Sequence, residues 1–318
     1  MATTLDNDRR KLSEAEQRLF TALGMEHRSG HLPLMGAPVE HARVIETGEG
    51  PPVLLVHGAG MSASLWAPLL VHLTHRHCLA VDLPGCGLTD PFDHRGIDLR
   101  SHARSFLAAV LDVLDLDVVP IVANSLGSTY SLYLASAKPV RISHLALFGA
   151  PGVALPGGRG SLAMSLYSRP RWGRLMSAVS PPLQPGVARR LLANICGRRA
   201  VDAVPDEMFE VAAATLRISD ATTRSLMPEL FSGRTPYPHH ALSDDELARV
   251  SASTRFVWGS EDRFQHPDDG RRAAGLMPDA DLVEVRGGHH PWWDDAESCA
   301  AQIDDLLRAS EQDPASES

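Results

Sequence analysis

Residues 118–130 read VVPIVANSLGSTY. Val118, Val119, Ile121 and Val122 form a short β-branched run, expected to be a strand buried on both faces. The run stops at Ala123-Asn124-Ser125-Leu126-Gly127, and a helix-compatible segment, Ser128 to Ala137, follows at once. A strand, a tight turn and a helix with serine at the apex describe a nucleophile elbow. Small residues two before and two after the serine let the backbone turn sharply and expose Oγ. Here the pattern is A-x-S-x-G, with Ala123 where glycine is usual, so the added methyl sits in a crowded turn. The alternative is a serine in an ordinary strand-to-helix turn, and only the surrounding chain can decide between the two.

On the amino-terminal side, Ser13 to Leu23 carries a capping-box pattern and helical spacing, after a polar stretch 1–12 expected to be loose. Gly30 to Pro38 reads as a loop, and strands are expected at His41–Thr47, Val53–Val56 and Cys78–Leu83. Helices are expected at Leu65–Leu73 and Asp98–Leu114. After the elbow, Ile142–Gly149 reads as another strand, which completes the alternation of a parallel sheet. From about Pro151 to Leu242 that alternation fails. Proline- and glycine-rich clusters separate helical segments at Ser161–Leu166, Val187–Ile195 and Glu207–Leu216, with no clear strand. The alternation resumes with strand Thr254–Trp258, helix Asp268–Leu276, strand Asp281–Val285 and helix Asp294–Leu307. The expected organisation is therefore an amino-terminal extension with a short helix (1–39), an α/β core (40–150 and 243–309), a helical cap (151–242) and a disordered tail (310–318).

A serine hydroxyl needs a base to take its proton, and a histidine base needs a carboxylate to hold its tautomer. Both partners are expected at the carboxyl ends of later strands. The strand at 254–258 runs into Gly259-Ser260-Glu261-Asp262, and the strand at 281–285 into Gly287-Gly288-His289-His290. The chain order serine, aspartate, histidine is the α/β-hydrolase order. With HGAG at 57–60, DLPGCGLTD at 82–90, ANSLGS around Ser125, WGSEDRF at 258–264 and GGHHPWW at 287–293, the chain resembles the cap-bearing α/β-hydrolases from about residue 40 to 308. The resemblance implies a mostly parallel central sheet with helices on both faces and a helical cap insertion. It implies a triad of Ser125, Asp262 and His289, with Asp262 preferred to Glu261 by G-x-x-D spacing and His289 preferred to His290 because the base follows the glycine directly. It also implies oxyanion donors on the backbone of Ala59 and Leu126, and a structural role for His57.

A serine nucleophile, unlike the aspartate of epoxide hydrolases and haloalkane dehalogenases, implies an acyl-enzyme and a carbonyl substrate. An ester, lactone or related bond of a small molecule is the first expectation. Asn124, Arg263-Phe264 and Trp293 are similar to the meta-cleavage-product hydrolases, which break a carbon–carbon bond beside a ketone, and this is the alternative. A third reading is a non-catalytic ligand-binding protein on the same fold. Asn124, Trp293, Met164, Tyr167 and Trp172 are candidate pocket residues.

Composition bounds the remaining classes. The formal net charge is −9, and Lys11 and Lys138 are the only lysines among 318 residues; no basic stripe suits a nucleic acid. No apolar run reaches the length of a membrane span, and the amino terminus lacks a signal-like apolar core, so a cytoplasmic protein with no membrane or nucleic-acid partner is expected. The four cysteines lack C-x-x-C spacing, and His72, His75, His77 and Cys78 lack a zinc-type carboxylate partner, so neither metal nor cofactor is expected. Self-association is compatible with the sequence.

Overall fold

A computed structural model describes residues 4–179 and 183–311. Eight strands form one sheet: β1 (Arg28–Pro33), β2 (His41–Thr47), β3 (Pro52–Val56), β4 (His77–Val81), β5 (Val119–Asn124), β6 (Ile142–Phe148) and, after a two-residue pair β7 (Phe231–Ser232) and β8 (Thr235–Pro236), β9 (Ser253–Gly259) and β10 (Ala280–Val285). Their order is β1-β2-β4-β3-β5-β6-β9-β10. The β1–β2 and β2–β4 pairs are antiparallel; the other pairs are parallel.

The apolar runs of the central strands have the reason given by their burial: alternate residues face opposite cores. Leu54, Val56, Ile121, Ala123, Leu145 and Leu147 join the cluster that includes the helices Leu99–Val113 and Leu126–Ala137. Val53, Leu55, Val122, Ala146 and Phe148 face the other way. They pack in the cluster that includes the helices Thr4–Ala22 and Ala296–Glu311. Asp98 caps the helix Leu99–Val113, its carboxylate accepting from Arg100 N at 3.0 Å.

Five local expectations change. The stretch expected as a loop from Gly30 is in part strand β1, because backbone pairing with β2 (Gly30 opposite Val44) overrides a sequence rich in turn residues; exposure on an edge tolerates its Gly30 and Pro33. The polar stretch before Ser13 is helical from Thr4, since Leu12 is fully buried and the helix packs along Glu207–Ile218. Ion pairs Arg18–Glu210 (2.6 Å) and Arg217–Asp8 (3.2 Å) tie these two helices together. The helix expected over 65–73 is a 3₁₀ turn Ala63–Trp66 followed by one turn, Ala67–Leu70, with Pro68 at its start. Between β6 and β9 the helices Pro170–Val179, Arg198–Ala203 and Asp220–Leu230 add to those expected, and β7–β8 form a small hairpin. The last helix runs through Glu311, two residues into the expected tail; residues 312–318 lie outside the described residues.

A buried ionic group fastens the amino-terminal helix to the core. Arg43 Nη2 donates to Glu16 at 2.6 Å, and Arg43 Nη1 lies 3.7 Å from Asp82, with all three side chains almost fully buried. Ser64 Oγ donates to the other Glu16 oxygen at 2.7 Å. Asp82 in turn accepts from Ala63 N and Leu88 N.

Candidate active site

Ser125 lies between β5 and the helix Leu126–Ala137 with φ 53° and ψ −116°, one of two non-glycine residues with positive φ among the described residues. Such backbone strain costs about 1–3 kcal/mol and persists where the surroundings over-determine it. Gly127 is the reason the turn closes. A Cβ there would stand 2.2 Å from Val56 O and 2.7 Å from His57 O, so the helix start can lie against β3 only with glycine. Ala123, where glycine is usual in the motif, is fully buried at the end of β5.

The carboxyl ends of β9 and β10 bring the other two groups to the same place. His289 Nδ1–H donates to Asp262 Oδ2 at 2.7 Å. Ala150 N–H donates to the same oxygen at 2.8 Å, and Phe264 N–H donates to Oδ1 at 2.9 Å. Burial pushes the Asp262 carboxyl up, but His289 and these two amides outweigh burial and hold it below the usual carboxylate value. The bond from Nδ1 leaves His289 Nε2 as the nitrogen free to accept a proton. Glu261 has no such role, being exposed. His290 turns its Nδ1 to Cys196 instead, at 3.2 Å.

Ser125 and His289 line one cavity of about 930 Å³ together with Gly58 and Ala59. Leu126 opens its helix, so its N–H has no intrahelical acceptor and is available to a bound oxygen. His57 ties down the neighbouring loop: Nδ1–H donates to Gly58 O at 2.7 Å, and Nε2 accepts from Leu83 N at 3.0 Å. Burial lowers its pKa and keeps it neutral for that task. Asn124 is buried beside Ser125; its amide donates to Phe148 O at 2.8 Å and His289 O at 3.1 Å, linking the turn at Ser125 to the histidine loop. Its Oδ1 has no partner among the described residues.

Of the residues expected in the pocket, Asn124, Met164 and Tyr167 line the cavity. Trp293 and Trp172 do not. Trp293 lies in the 3₁₀ turn Pro291–Trp293, is buried edge-on against Phe209 and donates from Nε1 to Leu65 O at 3.3 Å, which makes it core. Trp172 is half exposed on the helix Pro170–Val179, outside the cavity wall. Lining residues that the sequence did not single out include Leu191, Ile195, Met227 and Phe231, all from the 151–242 segment, and His290, weighed only as a rival to His289, lines the cavity too. Arg159 and Arg263, both exposed, also line the cavity, and neither forms an ion pair among the described residues. The available signal was position: Arg159 follows β6, and functional side chains of open α/β sheets gather beyond the carboxyl ends of strands.

His75 pairs with Asp304 and His77 with Glu46, which accounts for two members of the histidine-rich stretch as surface contacts. Among the described residues no group of three or more histidine, cysteine or acidic side chains is arranged to hold a metal, and no helix is long and apolar enough to cross a membrane.

Comparison with known proteins agrees with this architecture. Residues 53–302 match the family model described as the alpha/beta hydrolase family. The chain belongs to that family. It is 30% identical over 274 residues to a 2-hydroxy-6-oxononadienedioate/2-hydroxy-6-oxononatrienedioate hydrolase of Dechloromonas aromatica, covering 80% of this chain and 86% of the relative. It is also 30% identical over 279 residues to a 2-hydroxy-6-oxo-2,4-heptadienoate hydrolase of Pseudomonas putida, covering 84% and 92%. Among solved structures, naproxen esterase of Bacillus subtilis superposes with a TM-score of 0.73 at 16% identity, covering 96% of this chain and 99% of that one; this likeness is one of fold.

Proposed function

We propose that the chain is a carbon–carbon bond hydrolase acting on a 2-hydroxy-6-oxo-dienoate, with Ser125 as nucleophile, His289 as base and Asp262 as its orienting carboxylate. What carries this reading over an ester hydrolase is kinship: relatives 30% identical over most of both chains are named for substrates of this kind. The site is compatible with it. An anionic, conjugated, largely apolar substrate matches a cavity walled by Met164, Tyr167, Leu191, Met227 and Phe231 with Arg159 and Arg263 at its wall.

In this reading the substrate first shifts from its dienol to the vinylogous diketone. Ser125 Oγ, giving its proton to His289, attacks the 6-oxo carbon, and the N–H groups of Ala59 and Leu126 hold the oxyanion. Collapse breaks the bond to the adjacent chain carbon. The electron pair is delocalised onto the 2-oxo oxygen, and the chain carbon takes the proton held by His289. Water, deprotonated by His289, then hydrolyses the acyl-serine to a carboxylic acid and frees Ser125. No cofactor enters, and the partner is a small molecule.

The test follows the loss of dienol absorbance on a 2-hydroxy-6-oxo-dienoate beside p-nitrophenyl butyrate, with Ser125→Ala as control. Faster specific turnover of the dienoate, lost in the variant, is expected. Turnover of the ester alone would return the ester reading to first place.

A further inference from the structure

The carboxyl end of the helix Pro185–Cys196 meets the loop that carries both histidines. His289 N–H donates to Ile195 O at 3.2 Å. Gly288 passes so close beneath the helix end that a Cβ would stand 2.6 Å from Ile195 O and 2.7 Å from Cys196 O. Beside this junction Cys196 Sγ lies 3.2 Å from His290 Nδ1, with both side chains buried.

Which atom donates follows from the donor inventory. The Cys196 thiol has one proton to give and is a weak acceptor. Its own proton is then the one to lie between Sγ and Nδ1, since a neutral imidazole nitrogen accepts far better than a thiol sulfur. Burial, with His289 alongside, holds the His290 imidazole well below the usual histidine range, and burial pushes the Cys196 thiol far up. Both groups are therefore neutral at physiological pH. A neutral histidine that accepts at Nδ1 carries its proton on Nε2.

Ring geometry points Nε2 away from Nδ1 and from Cys196. His290 lines the cavity with Ser125 and His289, and Nε2 is not among the buried polar atoms left without a partner. Nor does it bond to any described residue, so it opens on the cavity. The ring is fixed in place by Trp292, at a centroid distance of 5.0 Å, and by Trp293 at 5.5 Å.

We propose that His290 is a second substrate-contacting histidine: the Cys196 thiol fixes its Nε2–H tautomer, and Nε2–H donates to a carbonyl or enolate oxygen of the substrate. A neutral donor suits such an oxygen, because it can follow the charge that develops there without abstracting the proton that His289 has to manage. Cys196 is then a positioning residue that links a helix of the 151–242 segment to the site. The inference rests on the hydrolase reading of Ser125, and it holds for whichever carbonyl substrate the enzyme turns over.

Two measurements test it. In protein labelled with ¹⁵N-histidine, the His290 ring nitrogens, assigned by their loss in His290→Gln, are expected to report the Nε2–H tautomer in the wild type and a mixture in Cys196→Ala. Steady-state kinetics on the dienoate and on p-nitrophenyl butyrate, normalised to sites titrated by fluorophosphonate labelling of Ser125, give the second readout. His290→Phe is expected to lose about 10- to 100-fold in kcat/KM while still labelling at Ser125. His290→Gln, whose amide N–H reaches to about the same point, recovers most of that loss. Cys196→Ser, whose hydroxyl can still donate to Nδ1, recovers most of what Cys196→Ala loses. An Nδ1–H tautomer in the wild type, or a His290→Phe enzyme as active per labelled site as the wild type, overturns the proposal. If the wild type cleaves only the ester, the carbon–carbon reading falls, and the same ratios measured on the ester decide for or against His290.

Discussion

Replacing Asp262 by Asn should nearly abolish turnover while leaving the fold in place. Asp262 accepts three hydrogen bonds, from His289 Nδ1 (2.7 Å), Ala150 N (2.8 Å) and Phe264 N (2.9 Å). An asparagine has one acceptor oxygen and one donor amide. If its oxygen serves Phe264, its NH₂ faces the Ala150 N–H and His289 Nδ1, so it donates to Nδ1 and forces the proton onto Nε2. The imidazole then presents a donor to Ser125 and cannot take its proton. The comparable change in a serine protease lowers kcat by about 10⁴-fold, or about 5 kcal/mol, and a similar loss is expected here. The same substitution alters the response to acid. A carboxylate whose folded pKa lies below its unfolded value contributes stability that is fully present above the unfolded value, about 3.9, and is lost as pH falls through the folded one. Asp262→Asn should therefore flatten the wild type's loss of stability below about pH 4. The assay is kcat at neutral pH, with denaturant midpoints between neutral and acid pH. A variant within tenfold of wild-type kcat would refute the argument that Asp262 sets the tautomer of His289.

Three further outcomes follow from the geometry. Gly127→Ala drives a methyl against the carbonyls of Val56 and His57, which as backbone of the sheet and adjoining loop have little room to give. It should cost about 3 kcal/mol in urea unfolding; a loss under about 1 would mean that the elbow helix can shift away from β3. Glu16→Ala leaves Arg43 buried opposite Asp82 at 3.7 Å. Breaking a buried pair from one side costs about 3–5 kcal/mol, visible as a lower denaturant midpoint, whereas an unchanged midpoint would show that Asp82 alone neutralises Arg43. The double variant Arg159→Gln, Arg263→Gln should raise KM for the anionic dienoate by about tenfold and leave KM for a neutral ester within about twofold; equal effects on both substrates would place the two guanidinium groups in a structural rather than an anion-binding role.

The parts of this molecule that were legible in its sequence are those written locally. The parallel strands carry apolar runs because each is buried on both faces, and the elbow, the acid turn and the histidine turn each occupy a strand's carboxyl end, where a few consecutive residues suffice to mark them. Edge strand β1 was not legible, since its RSGHLP sequence is held by pairing with β2 and not by propensity. The tryptophans misled for a related reason. Trp293 and Trp172 have the same chemical appeal for a pocket, but which way each faces is decided by the turn or helix that carries it, one packing inward on Phe209 and the other outward to solvent.

The Cys196–His290 contact marks the limit of such reading most clearly. Its members are 94 residues apart, and neither belongs to a recognisable pattern with the other. The histidine invites attention only as a rival to His289, and the cysteine only as one of four scattered thiols. Their meeting depends on the helix Pro185–Cys196 docking its carboxyl end on the loop at Gly288, a tertiary event that requires the helical segment and the sheet to be placed together first. The same docking sets the amide of His289 on Ile195 O, so one contact between segment and core holds both histidines. A displacement of that helix would therefore be felt at His289 and His290 at once. With His289 as the proposed base, substitutions at the end of that helix are expected to change KM and kcat together, not one alone.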